Sequence, residues 1–307
     1  MSEAQKDMAL WVWLAIAAAA AQTVRGAGQR GLKPKLGDYG ASLIRFSYAI
    51  PFAWAWLLGY GHVAGQPMPY LHAEFLFRVT IAGLMPIIFT VTLVMLFTHR
   101  SFAAGTAFSK TEVLQAAIFE ALIIGFVVSF QVGAAIVIGV IAVFFLSLAK
   151  SSVSLGNLAR SLMTRQTAIG LASGASLGFC TVAYRAATDS LDGADLMMRA
   201  SVSAGVSVLI QTAMLGGFMW FKARDQLFAS FVEWRPSLIV GLSGAVATLC
   251  WFYAFSAHAV APVRAVGQIE LLFVLAISFF YFREKPSWQE LVAMLLLVIS
   301  IIMVLLG

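Results

Sequence analysis

Ten long apolar runs, separated by short polar stretches, take up most of the 307-residue chain. They extend over Met8–Gly26, Tyr39–Tyr60, Phe75–Thr98, Ala103–Val128, Gln131–Ser147, Thr167–Tyr184, Leu196–Phe221, Ser237–Phe255, Val263–Phe282 and Ser287–Leu306. A helix that crosses a bilayer needs about 20 mainly apolar residues, with ~17 as the lower limit, and every run reaches that length. Backbone amides find no water partner in lipid, so each run must satisfy its own hydrogen bonds as a helix. None shows the ten-residue in-out alternation of a membrane β-barrel strand. The pattern predicts an all-α polytopic membrane protein with ten transmembrane helices. Connections as short as Ser129–Phe130 and Arg283–Pro286 join antiparallel neighbours.

The longest polar stretch, Ala149 to Gln166, falls near the midpoint. It divides the chain into a first five-helix repeat, 1–148, a linker, 149–166, and a second five-helix repeat, 167–307. An offset of 158 residues lays Glu112 on Glu270, Lys110 on Gln268, Ala103-Ala104 on Ala261-Pro262 and Thr23-Val24 on Thr181-Val182. An offset of 154 sets Arg45 on Arg199. Five is an odd number of crossings, so the second repeat enters the membrane upside down relative to the first. Two inverted five-helix repeats are the layout of a secondary transporter, whose substrate site lies near midplane where the repeats meet.

Composition narrows the function further. Hydrophobic residues make up 61% and charged residues only 11%, with a mean hydropathy of +0.90. A soluble domain carries about 25% charged residues, so an ordinary soluble enzyme is excluded. The net charge of +6 is scattered between the runs rather than gathered in one basic domain, which excludes nucleic acid as a partner. Cys180 and Cys250 both lie in apolar runs without ligand spacing and read as packing residues. Met1–Asp7 lacks a basic start, so the first run reads as a retained span rather than a signal peptide. Lys and Arg number twelve in the odd-numbered connections against five on the other side, which by the positive-inside rule sets both termini outside the cytoplasm.

Ionisable residues inside lipid default to a functional hypothesis. Glu112 and Glu270 are the sharpest pair, at matching positions in the opening turns of helices 4 and 9. Each could exchange a proton or supply a counter-charge, or could be a dipole-stabilised acid paired with a nearby Arg or Lys. Lys110 and Gln268 precede them by two residues and so face elsewhere on the helix. Lys110 either holds an anionic group of the substrate or snorkels to the interface. Arg25, Arg45, Arg185 and Arg199 fall at the ends of helices 1 and 6 and the starts of helices 2 and 7, and Arg264 follows Pro262. Guanidinium forks suit carboxylate and phosphate; the same arginines could also sit at headgroup depth. Trp251, Tyr253, Tyr48 and Tyr184 could line a substrate wall or pack helices. Trp11, Trp13, Trp54, Trp56 and Trp220 read as interfacial belts. Pro51 and Pro86 are expected to interrupt helices 2 and 3. The small-residue face Gly170–Gly178 is expected to pack helix 6 closely on helix 1 or another repeat partner. His62, His72, His99 and His258 share no metal-ligand spacing, and no phosphate loop is present, so no metal, cofactor or ATP-driven step is expected.

Ten helices in two halves, Gln268-Ile269-Glu270 opening a helix that ends in Phe282-Arg283-Glu284-Lys285-Pro286, and the following Gln289-Glu290-Leu291 resemble the EamA-like branch of the drug/metabolite transporter superfamily. Arg45, Leu96-Phe97 before Ala103-Ala104-Gly105, Gly133 and Gly139 are the first-half elements of that resemblance. The chain departs from the family pattern at Phe126, which stands opposite Glu284, and at Val113, where the family commonly has proline. The resemblance implies alternating-access transport of a small polar or amphipathic metabolite, such as an amino acid, organic anion or zwitterion. It implies export, an inner-membrane location and termini inside, the last against the charge count. Basic residues near such helices bind phosphate or nucleotide in related carriers, which favours substrate binding by Lys110. The expected partners are a small-molecule substrate, protons as coupling ion and the lipid bilayer, with the chain a monomer or homodimer. A lipid-linked substrate carrier or flippase is the alternative. A membrane enzyme would need clustered His, Asp or Glu at one interface, and an assembly subunit would have no use for paired midmembrane charges.

Overall fold

A computed structural model of the chain describes residues 3–97, 111–149, 165–273, 276 and 288–306. All regular secondary structure among these residues is helical, and the helices follow the apolar runs closely. In chain order they are α1 (Glu3–Ser47), α2 (Ile50–Ala64), α3 (Ala73–Phe97), α4 (Glu112–Ile123), α5 (Phe130–Ala149), α6 (Arg165–Asp189), α7 (Leu196–Lys222), α8 (Arg224–Val232), α9 (Trp234–Ala257), α10 (Val260–Gly267) and α11 (Trp288–Leu306). Among the described residues, Leu10–Gln29, Gly31–Ala64, Leu196–Lys222 and Trp234–Ala257 are each long and apolar enough to cross a bilayer; Phe130–Val143 and Leu291–Leu306 are shorter apolar helices. The fourth and ninth runs of the sequence extend into residues outside this description, Lys110 among them.

Four boundaries differ from the hydrophobic pattern, each for a local reason. The first two runs merge into α1, whose two helical stretches join at Gly37, a non-helical residue with φ 69° and ψ −177°. Such a positive φ carries no steric penalty only for glycine. The second run then breaks again at Tyr48-Ala49, and Pro51 stands in the first turn of α2 instead of kinking a continuous helix. That is the position where a missing N–H costs nothing. The fourth run ends at Ile123 rather than Val128, where Gly125 turns the chain with φ 79°. The ninth run is discontinuous: α10 ends at Gly267, residues 268–269 form a turn, and helix resumes at residue 270. Pro86 does lie inside α3.

The chain forms two compact units, and neither coincides with a linear half. The first holds Met1–Leu84 and Ala183–His258. Within it α1 packs along α9, and α2 packs on α7. Leu32, Leu36, Ala41, Ile44 and Val240 form one buried cluster, and Ala49, Ala53, Val208 and Ala245 another. Asp195 starts α7 by accepting the Met198 amide at 2.7 Å, the usual work of an N-cap carboxylate. Gln226 on α8 accepts the amides of Tyr39 and Gly40 at 3.0 and 3.4 Å, capping the stretch of α1 that restarts after Gly37.

The second unit holds Met85–Val182 and Ala259–Gly307. Here α5 packs along α11 and α4 against α10. Ser300 on α11 donates to the Ala135 carbonyl of α5 at 2.7 Å. Gly178 of α6 lies on α4: a β-carbon there would come within 2.9 Å of the Glu112 carbonyl oxygen and 3.0 Å of the Ala116 nitrogen. The small-residue face of helix 6 therefore meets helix 4 at this point.

Candidate functional site

In the second unit the polar groups gather around α4 and α10. Glu112 is the first residue of α4, where the aligned peptide dipoles favour a negative charge. Its carboxylate accepts a charge-assisted bond from Arg264 Nη2, and both side chains are nearly buried. One turn further along α4, Gln115 donates to Thr111 Oγ1 at 2.9 Å. Glu120 is fully buried and accepts the amides of Val260 and Ala261 at 2.7 and 3.1 Å, one with each carboxylate oxygen. Beyond α10, the turn at 268–269 leaves Gln268 Oε1 buried with no hydrogen-bond partner among the described residues. A β-carbon on Gly139 would stand 3.7 Å from that oxygen and 2.6 Å from Ser300 Oγ, so Gln268 reaches towards α5 and α11. Glu270 is partly buried where the helix resumes.

In the first unit the expected residues separate into smaller groups. Arg185 donates to the His258 carbonyl at 3.2 Å, and its Nε stands 3.5 Å from Asp189 Oδ2, an ion-pair distance. Arg199 donates to the Leu191 carbonyl at 3.4 Å. Asp189, beyond the end of the sixth apolar run, feels both arginines; burial raises its pKa, and the two guanidinium groups partly offset that rise. Tyr184 and Ser207 share a hydrogen bond at 2.8 Å, and Gln211 donates to the Tyr184 hydroxyl at 2.9 Å. Phe252 packs on the Tyr184 ring at 4.4 Å.

Trp251 donates to Gln22 at 3.2 Å and stacks on Phe255, and Tyr253 is buried. The Arg25 side chain and the Arg45 carbonyl both lie against Gly244, and the Arg45 guanidinium covers the Phe46 ring at 4.5 Å. Tyr48 donates to the Ser230 carbonyl at 2.9 Å, tying α8 down. Among the described residues no three His, Cys, Asp or Glu side chains group as metal ligands.

The structure thus brings Glu112 together with Arg264, and Arg185 and Arg199 with Asp189. Sequence reasoning passed over Asp189, Ser207, Gln211 and above all Glu120. The signal for Glu120 was present, since it is an acid inside an apolar run.

A protein known from its crystal structure shares the fold, with a TM-score of 0.68 over 95% of this chain and 94% of that one at 12% identity. No curated protein matches the sequence. The model of the EamA-like transporter family matches residues 167–306. Residues 167–306 thus match the EamA-like family of the drug/metabolite transporter superfamily, and with the long apolar helices this indicates an integral multi-pass membrane protein of transporter type.

Proposed function

We propose that the protein is an inner-membrane exporter of a small zwitterionic metabolite such as an amino acid, working by alternating access between two inverted five-helix repeats. Helix boundaries support the repeat. The 158-residue offset carries α5 onto the residues that hold α11, and Glu112, the first residue of α4, onto the residue where helix resumes, Glu270. In the second unit α5 and α11 pack on one another, as an inverted pair would.

The observation that carries the substrate assignment is the break at 268–269. Discontinuous helices in carriers mark the cargo site, and at this break the side-chain oxygen Gln268 Oε1 is a buried acceptor, two residues before the Glu270 carboxylate. Both select a donor, which fits an ammonium group. Glu112, paired with Arg264, is assigned a structural role, and Glu270, beside the break at 268–269, the proton-exchanging one. Arg25, Arg45, Arg185, Arg199 and Lys110 stay candidate anion-binding groups by their charge and their place in or beside the apolar runs.

Thermal unfolding of the purified chain with amino acids, dicarboxylates and amines tests this, since a ligand that binds only the folded state raises its stability. The expected result is a stabilising amino compound whose effect is lost in Q268A and becomes independent of pH in E270Q. Stabilisation that both variants leave untouched overturns the assignment, and stabilisation by lipid-linked compounds alone favours the flippase reading.

A further inference from the structure

We infer that Glu120 is a positioning residue: from α4 it holds the first turn of α10 and thereby sets Arg264 against Glu112. The inference concerns order inside the second unit and goes beyond the transport reading, since it holds whatever the cargo is.

The start of α10 has no cap of its own. Ala259, at the cap position, offers no side-chain acceptor. Pro262 has no N–H to satisfy, and Val263 opens the internal ladder by donating to the Ala259 carbonyl at 3.3 Å. Val260 and Ala261 are left as the two buried amides whose partners must come from elsewhere, and an unpaired amide at bilayer depth is strongly unfavourable. Glu120 takes both, one with each oxygen. Charge-assisted bonds of this kind are about twice as strong as neutral ones.

Glu120 is poorly placed for the dipole of its own helix. It lies in the last turn of α4, which ends at Ile123, where the helix carbonyls disfavour a negative charge. The N-terminal dipole of α10, whose first two amides the acid accepts, favours it.

Register completes the argument. Val260 and Arg264 are four residues apart and share a face of α10. Glu120 and Glu112 are eight residues apart on α4, roughly two turns. The later residue of α4 meets the earlier part of α10, so the two helices run antiparallel and one rigid helix holds the other at two points. Releasing the cap frees the turn from which Arg264 projects.

Hydrogen exchange and thermal unfolding of the purified full chain test this without a substrate. E120A is expected to speed exchange at Val260 and Ala261 about tenfold or more. It should also abolish the coupling between Glu112 and Arg264 read from midpoint shifts in an E112Q, R264M double-mutant cycle. Adding A259S should restore protection at Ala261, the N2 amide that an N-cap hydroxyl reaches, and with it the coupling, because Ala259 already has the extended backbone of an N-cap (φ −57°, ψ 139°). If E120A is not recovered folded, E120Q serves instead, with faster exchange and reduced coupling expected. Wild-type exchange or wild-type coupling in E120A or E120Q overturns the inference, as does an A259S addition that restores protection at Ala261 but not coupling.

Discussion

Two helices of this protein start beneath a side chain lent by another helix. Where α1 restarts after Gly37, Gln226 accepts the amides of Tyr39 and Gly40 with one amide oxygen. Where α10 starts, Glu120 accepts the amides of Val260 and Ala261 with two carboxylate oxygens. The task is the same and the chemistry differs by one charge. Gln226 is only partly buried, so water can share in satisfying the amides. Glu120 is fully buried, and there the cap alone must satisfy them. Burial makes an uncapped start more unfavourable and makes the charged cap, already opposed by its own helix end, the stronger option.

The comparison can be broken by exchanging the chemistries. E120Q should lower unfolding stability by about 1–2 kcal/mol, the difference between charge-assisted and neutral bonds to two amides. A loss below a few tenths, measured by chemical denaturation in micelles, would mean that burial does not demand the charge. Q226A should cost about 1 kcal/mol, as removal of an N-cap does. Q226E should lie within about 0.5 kcal/mol of the parent, because a surface carboxylate at a helix start gains little from the dipole. The smallest effect concerns Asp189. Burial raises its folded pKa above the ordinary carboxylate value. Between those two values the folded protein holds a proton that the unfolded chain has released, so stability falls as pH rises through that window. D189N should remove that part of the slope in a pH series of thermal midpoints. The change will be slight because the carboxyl remains 43% exposed.

Hydrophobic runs marked nearly every helix because lipid imposes length and internal hydrogen bonding together. They did not mark the breaks at Tyr48 and Gln268, since apolar character continues through a turn whose backbone is satisfied by neighbours. The signals there were single residues: Pro51 in a first turn, and Gly267 ahead of Gln268. Glu112 stood out through its match with Glu270, and its partner Arg264 was visible as a charge. Glu120 has no such match, and its partners are backbone amides, which have no letter in a sequence. Gln226 escaped notice for the same reason. The two compact units were also unreadable from the linear order, since each takes helices from both halves.

The separation of Glu120 from Val260 by 140 residues has a consequence during synthesis. At roughly 5–20 residues per second, the ribosome makes α4 about seven to twenty-eight seconds before α10 exists. Through that interval both acids of α4 wait without the amides and the guanidinium that later receive them. A lone anion in hydrocarbon is unfavourable by ~2.5–3.5 kcal/mol even on the mildest scale, so α4 by itself is a poor membrane span until α10 arrives. Closure of the second unit is then a late, cooperative event in the life of each new chain, set by the arrival of the ninth apolar run.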